Sequence, residues 1–203
     1  MRCFFTLVPP LSVKERLLLD MERLQTLHPE LSRHYRWQTR EQLHITLHFF
    51  ADLHPEVAQR LVEDVRECLQ GFPPFSIVFE TITPFPSVQR AGYLTAQIRA
   101  NDRLLALHEH IKSRIAHVGE PVDERVFRPH LTLARGRSRR QRLDLRANLI
   151  APLQFYVEAV ELYQSTQGTN GSIYHSLATM DLCTRSDGCE LQSVVSYNGG
   201  LKP

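Results

Sequence analysis

A short strand, an amphipathic helix and a second strand with histidine and threonine two residues apart occur twice in this chain, in the same order. The first set is "RCFFTLV" (2–8), a helix with the apolar stripe Leu17, Leu18, Met21 and Leu24, and "LHITLHF" (43–49). The second is "GYLTAQIRA" (92–100), a helix with the stripe Leu104, Leu107, Ile111, Ile115 and Val118, and "VFRPHLTLAR" (126–135). Identity between the halves is low, so the duplication is argued from the order of elements. Two such units facing each other bring equivalent strands to one cleft, where His44 and His130 meet.

Local signals set the boundaries. Ser12 with Glu15 reads as a capping box opening the first helix, and Asp102 as the cap of its counterpart. Between them, "HPEVAQRLVEDVRECLQG" carries Pro55 in a first helical turn, with Val57, Leu61, Val65 and Leu69 at helical spacing; "FSIVFETITPF" (75–85) alternates as a strand. Gly71 and Gly119 stand where helices stop. "QFYVEAVELYQS" (154–165) and "SIYHSLATMDL" (172–182) read as two long antiparallel strands joined by "TQGTNG". A single domain over 1–183 and a polar tail over 184–203 follow from this division.

At 203 residues, 42% hydrophobic and 23% charged, the chain is sufficient for a real core and is neither disordered nor fibrous. A formal charge of +2 commits it to no class of partner. "CFFTLVPPL" is too short for a membrane span and its double proline suits a strand ending in a turn, so a cytoplasmic protein is expected. Cys3, Cys68, Cys183 and Cys189 form no C-x-x-C pair, which favours reduced thiols over disulfides or zinc.

Histidine and threonine at alternate positions lie on one strand face. A lone H-x-T is ordinarily a solvated pair; the duplicated context favours a catalytic role for His44 and His130. Facing imidazoles, each titrating near neutrality, supply one base and one acid, and threonine hydroxyls beside them can donate to a charged transition state. His48 is read as structural, and His44 and His48 are too far apart for one metal ion, since four strand residues separate them by roughly 13 Å. His108 and His110 lie off the apolar stripe of their helix and are expected in solvent. No Gly-rich phosphate loop, acidic metal cluster or G-x-S-x-G is present, so neither metal nor cofactor is expected.

"RCFFTLVPP", "LHITLHFFADL", "PFPSVQRAGYLTAQI", "FRPHLTLAR" and "VELYQSTQGTNGSIYHSL" together resemble the two-histidine phosphoesterases, and within them the RNA 2′,3′-cyclic phosphodiesterases formerly called 2′-5′ RNA ligases. The resemblance extends from residue 2 to about residue 182, and F-x-P-H-L-T-L-A-R is its most specific part. It implies a bilobal, pseudo-symmetric α+β fold of two antiparallel sheets around a central cleft, with helices on the outer faces. It also implies that His44 and His130 catalyse hydrolysis of a terminal 2′,3′-cyclic phosphate to a 2′-phosphate, and that Thr46 and Thr132 hold the phosphate. The family's arginine falls on Arg135 and its aromatic on Phe49, while Ala51 stands where glycine is more usual. We place His44 as the acid and His130 as the base. Substrates would be RNAs with cyclic-phosphate ends, tRNA fragments included, and the enzyme a monomer without a membrane. RNA joining by the reverse reaction, or an RNA-binding module without turnover, are the competing readings.

Strict alternation puts Arg135 and Phe49 on the face opposite the histidines, so reaching the cleft requires a bulge in each strand. "ARGRSRRQRLDLR" (134–146) follows the second motif, and its Arg137, Arg139 and Arg140 could extend a phosphate-binding surface.

Overall fold

The structure is a computed structural model that describes residues 1–138, 142–169 and 171–183. In chain order the elements are β1 (Cys3–Leu7), α1 (Leu11–Leu27), α2 (Leu31–His34), β2 (Tyr35–Trp37), a 3₁₀ turn (Arg40–Gln42), β3 (Ile45–Phe50), α3 (Pro55–Leu69), β4 (Phe75–Ser87), β5 (Arg90–Ile98), α4 (Asp102–His117), β6 (His130–Gly136), β7 (Ala147–Val157), β8 (Ala159–Gly168) and β9 (Gly171–Asp181). The repeated units are therefore β1-α1-β3 and β5-α4-β6. The proposed tail, Cys189, Arg139 and Arg140 lie outside the described residues.

All strand pairs are antiparallel and connect in the order β7-β4-β5-β6-β3-β1-β8-β9, with β2 on β6. The two expected sheets are the halves of this order. Their strands join at its centre, where a single pair, Ile45 opposite Leu131, links β3 to β6. The central residues of the two H-x-T motifs thus pair with each other and set the distance between the histidine strands.

The helices pack on the face that carries Cys3, Phe5 and Leu7, where the stripes of α1, α3 and α4 join one apolar cluster with Ile45, Leu131 and Leu133. Each aliphatic side chain buried there contributes about 1.5–3 kcal/mol relative to exposure. The other face, with Thr46 and Phe49 exposed, is left for the cleft.

Several boundaries differ from the sequence reading. Helix α1 begins at Leu11, where the Pro10 carbonyl accepts from the Val13 and Lys14 amides, so Ser12 lies inside the first turn and caps nothing. Helix α4 is capped by Asn101, whose side-chain oxygen accepts from the Leu104 amide, because Asp102 has already entered the helix. Gly71 and Gly119 do follow α3 and α4, with φ of 86° and 82°, a conformation in which any other residue carries a steric cost. The expected strand 154–165 is two strands: β7 pairs with β4 in one half, and after Glu158 β8 pairs with β1 in the other. The buried phase shifts there, from Phe155 and Val157 to Val160 and Leu162.

Candidate active site

His44 immediately precedes β3 and His130 opens β6. Each imidazole is held in the same way. His44 Nδ1 lies 2.7 Å from the Gln42 carbonyl oxygen, and His130 Nδ1 lies 2.7 Å from that of Arg128. A carbonyl only accepts, so in both rings Nδ1 carries the proton and Nε2 is the free nitrogen. The residues supplying these carbonyls are anchored in turn. Gln42 Nε2 donates to the Ser172 carbonyl in β9 at 2.8 Å, and the Arg128 guanidinium donates to the Pro86 carbonyl in β4 at 3.3 Å. Sequence reasoning missed both residues, since a backbone acceptor leaves no residue-type signature.

The required bulges are present, at matching places. Between β1 and β3 the register moves from Thr6 opposite Thr46 to Phe5 opposite His48, leaving Leu47 as the extra residue. Between β5 and β6 it moves from Thr95 opposite Thr132 to Leu94 opposite Ala134, leaving Leu133. In both strands two successive residues then point inward (Leu47 with His48, Leu133 with Ala134), which returns Phe49 and Arg135 to the face of the histidine and threonine. His48 is accordingly buried against Phe50, as the structural reading expected.

His44, Thr46, Phe49, His130, Thr132 and Arg135 thus share the open face. His44 Nε2 lies 3.1 Å from Thr46 Oγ1, which in the neutral ring donates to it. Phe49 is 46% exposed, and the Arg2 guanidinium lies over its ring, 5.4 Å from the centroid. Arg135 lies 5.8 Å from the ring centroid of Tyr93.

Aromatic walls surround the dyad. Phe4 (4.8 Å) and Tyr174 (5.2 Å, edge-on) enclose His44, with Tyr163 beside them; Phe85 stacks on His130 at 4.1 Å and carries Arg128 on its ring. Phe4 was legible in principle, because alternation along β1 sets it on the cleft face opposite Phe49. Burial pushes the His44 pKa down to about 4, overriding the upward pull of the Gln42 carbonyl, and the positive charges of Arg135 and Lys14 add to the depression. His130 is lowered chiefly by burial and secondarily by Arg128, while its own carbonyl partner pulls it upward. Both rings are therefore neutral at pH 7 in the free protein.

Elsewhere, His108 corrects the sequence reading: it is buried and stacked flat on Phe127 at 3.9 Å, because the segment after α4 folds back over the helix. His110 is exposed as expected. Among the described residues no group of three or more His, Cys, Asp or Glu side chains is placed to hold a metal ion, and no helix is long and apolar enough to cross a membrane. Cys3 and Cys68 are free thiols.

A duplicated antiparallel sheet with a histidine on each central strand defines the class of two-histidine phosphoesterases. The chain belongs to the 2′-5′ RNA ligase superfamily, whose family model matches residues 9–169. It is 25% identical over 143 residues to an RNA 2′,3′-cyclic phosphodiesterase of Thermotoga maritima, covering 70% of this chain and 76% of that one. A protein of the same name from Methanothermobacter thermautotrophicus is 29% identical over 148 residues, covering 70% and 79%. In fold it is similar to a Thermus thermophilus protein (TM-score 0.75, 23% identity, 92% of this chain and all of that one). It is likewise similar to E. coli LigT complexed with 3′-AMP (TM-score 0.71, 21% identity, 89% and 97%).

Proposed function

We propose that this protein hydrolyses the terminal 2′,3′-cyclic phosphate of RNA to a 2′-phosphate, with His44 and His130 as the acid–base pair. The observation that carries this reading is the matched presentation of two imidazoles, each with Nδ1 donating to the carbonyl two residues upstream and Nε2 unprotonated. The name shared by the Thermotoga and Methanothermobacter relatives supports the choice of substrate.

The chemistry balances on the protein's own groups. One neutral Nε2 takes a proton from water as its oxygen attacks phosphorus; on the opposite side the P–O3′ bond breaks and the second imidazole, protonated, gives its proton to O3′. The product has a free 3′-hydroxyl and a 2′-phosphate, and proton exchange with solvent restores the pair. Thr46 and Thr132 donate to the non-bridging oxygens as their charge grows, and Arg135 adds a charge-assisted donor. We assign His44 as the acid. Both rings are neutral in the free site, so the acid gains its proton as the anionic phosphate arrives; that anion offsets the field of Arg135, which depresses His44. His130 is then the base. Phe49 offers a face to the terminal base.

The dyad lies within one chain, which supports a monomeric enzyme, and the free thiols of Cys3 and Cys68 suit the cytoplasm. RNA fragments, those of tRNA included, are the proposed substrates. Phosphorus NMR of the product formed from a defined oligonucleotide 2′,3′-cyclic phosphate tests the assignment. A 2′-phosphate is expected; a 3′-phosphate overturns the orientation, and no turnover leaves the non-catalytic reading.

A further inference from the structure

We propose that Arg36 and Arg135 form a second phosphate site, holding the phosphodiester on the 5′ side of the terminal nucleotide; the inference rests on the cyclic-phosphodiesterase reading above. Strand β2 is only three residues long, yet its register on β6 is regular: Tyr35 opposite Gly136, Arg36 opposite Arg135, Trp37 opposite Ala134. Directly opposed residues of an antiparallel pair share a face, with Cβ atoms about 5 Å apart, so two arginine side chains leave the sheet together, Arg36 reaching towards Gly171 and Arg135 over Tyr93. The neighbours agree on which face this is. Tyr35 turns inward, donating its hydroxyl to the Ala91 carbonyl at 2.8 Å, while Arg36 is exposed.

Two positive side chains rising from one face make it suited to an anion held between them. No carboxylate pairs with either guanidinium among the described residues; the arginine ion pairs found there belong to Arg99 and Arg125. Arg36 is also held in position. Its Nη1 would be 3.0 Å from a Cβ added at Gly171, so the glycine opening β9 lets the guanidinium lie against the β8–β9 turn, bridging the two halves of the sheet. Across β6, Tyr93 of β5 continues the row, in register with Arg135 and 37% exposed. The row Arg36, Arg135, Tyr93 starts beside the dyad, since Arg135 is close enough to depress His44.

The reacting phosphate already has two threonine hydroxyls, two imidazoles and Arg135. A second guanidinium next to Arg135 is charge beyond what that phosphate needs. A 2′,3′-cyclic phosphate ends an RNA chain at its 3′ side, so the neighbouring anion can only be the 5′ phosphodiester. The two guanidinium groups offer it forked donors, and Tyr93 presents an aromatic face for the preceding base.

The experiment compares a nucleoside 2′,3′-cyclic phosphate with and without a 5′-phosphate. For the wild type, kcat/KM is expected to be at least about tenfold higher with the 5′-phosphate at low salt, and the advantage to shrink as salt rises. Arg36→Gln should bring the ratio close to one without changing the rate on the unphosphorylated substrate, and Arg36→Lys should keep part of it. An unchanged ratio in Arg36→Gln overturns the site, and so does an equal loss on both substrates, which marks a structural role. If the wild type hydrolyses neither compound, it is the proposed reaction that fails, and the site is judged by binding. Tighter binding of a nucleoside 2′,5′-bisphosphate than of the 2′-monophosphate, abolished in Arg36→Gln, upholds it; equal affinities overturn it.

Discussion

Protonation of His44 should be switched by the ligand. Burial among Phe4 and Tyr174, with Arg135 and Lys14 nearby, takes the imidazole from an ordinary 6.5 to about 4, on the order of 3 kcal/mol in favour of the neutral ring. At pH 7 about one His44 in a thousand then carries a second proton. The folded pKa lies below the unfolded one, so the native state binds fewer protons between these values. The stability contributed by the neutral ring is present above pH 6.5 and lost as pH falls towards 4. Two measurements follow. Nitrogen-resolved NMR of the imidazole should show His44 titrating near 4 in the free protein and at least one pH unit higher with a nucleoside 2′-monophosphate bound. The stability of the wild type relative to His44→Asn, which cannot titrate, should fall by about 3 kcal/mol between pH 7 and pH 4. A free-state titration near 6.5 refutes the burial argument, and an unmoved value with ligand refutes His44 as the acid charged on binding.

His44→Ala and His130→Ala should each remove most of the turnover, and the double variant little more, because the pair acts as a unit; near-normal rates in either single variant end the two-histidine mechanism. With sulfur in place of O3′ the leaving group needs no proton, so His44→Ala should recover most of its loss on that substrate while His130→Ala does not; the reverse pattern exchanges acid and base. Exhaustive chelation should leave the rate unchanged. Activity lost to a chelator and restored by a divalent ion would reveal a metal site.

The positions of the proposed chemistry could be picked out along the chain because a strand has a period of two. Histidine and threonine at that spacing, flanked by aliphatic residues and set in a repeated order of elements, located His44, Thr46, His130 and Thr132 without reference to space. Helix stripes and the stops at Gly71 and Gly119 were equally local. Period-two reasoning misplaced Arg135 and Phe49 by one face, because each bulge is a property of a strand pair: Leu47 and Leu133 are extra only relative to β1 and β5. The caps went to Pro10 and Asn101 instead of Ser12 and Asp102 through a one-residue choice of backbone geometry. Only the tertiary structure decided what charges the site. It carried the chain from β7 in one half to β8 in the other at Glu158, stacked His108 under Phe127, and joined the halves through Ile45 and Leu131. It also set Arg36 opposite Arg135, residues 99 positions apart that no local pattern relates. Sequence periodicity fixes which side of its own element a residue faces; register and burial, which depend on distant partners, fix what it faces and therefore its charge.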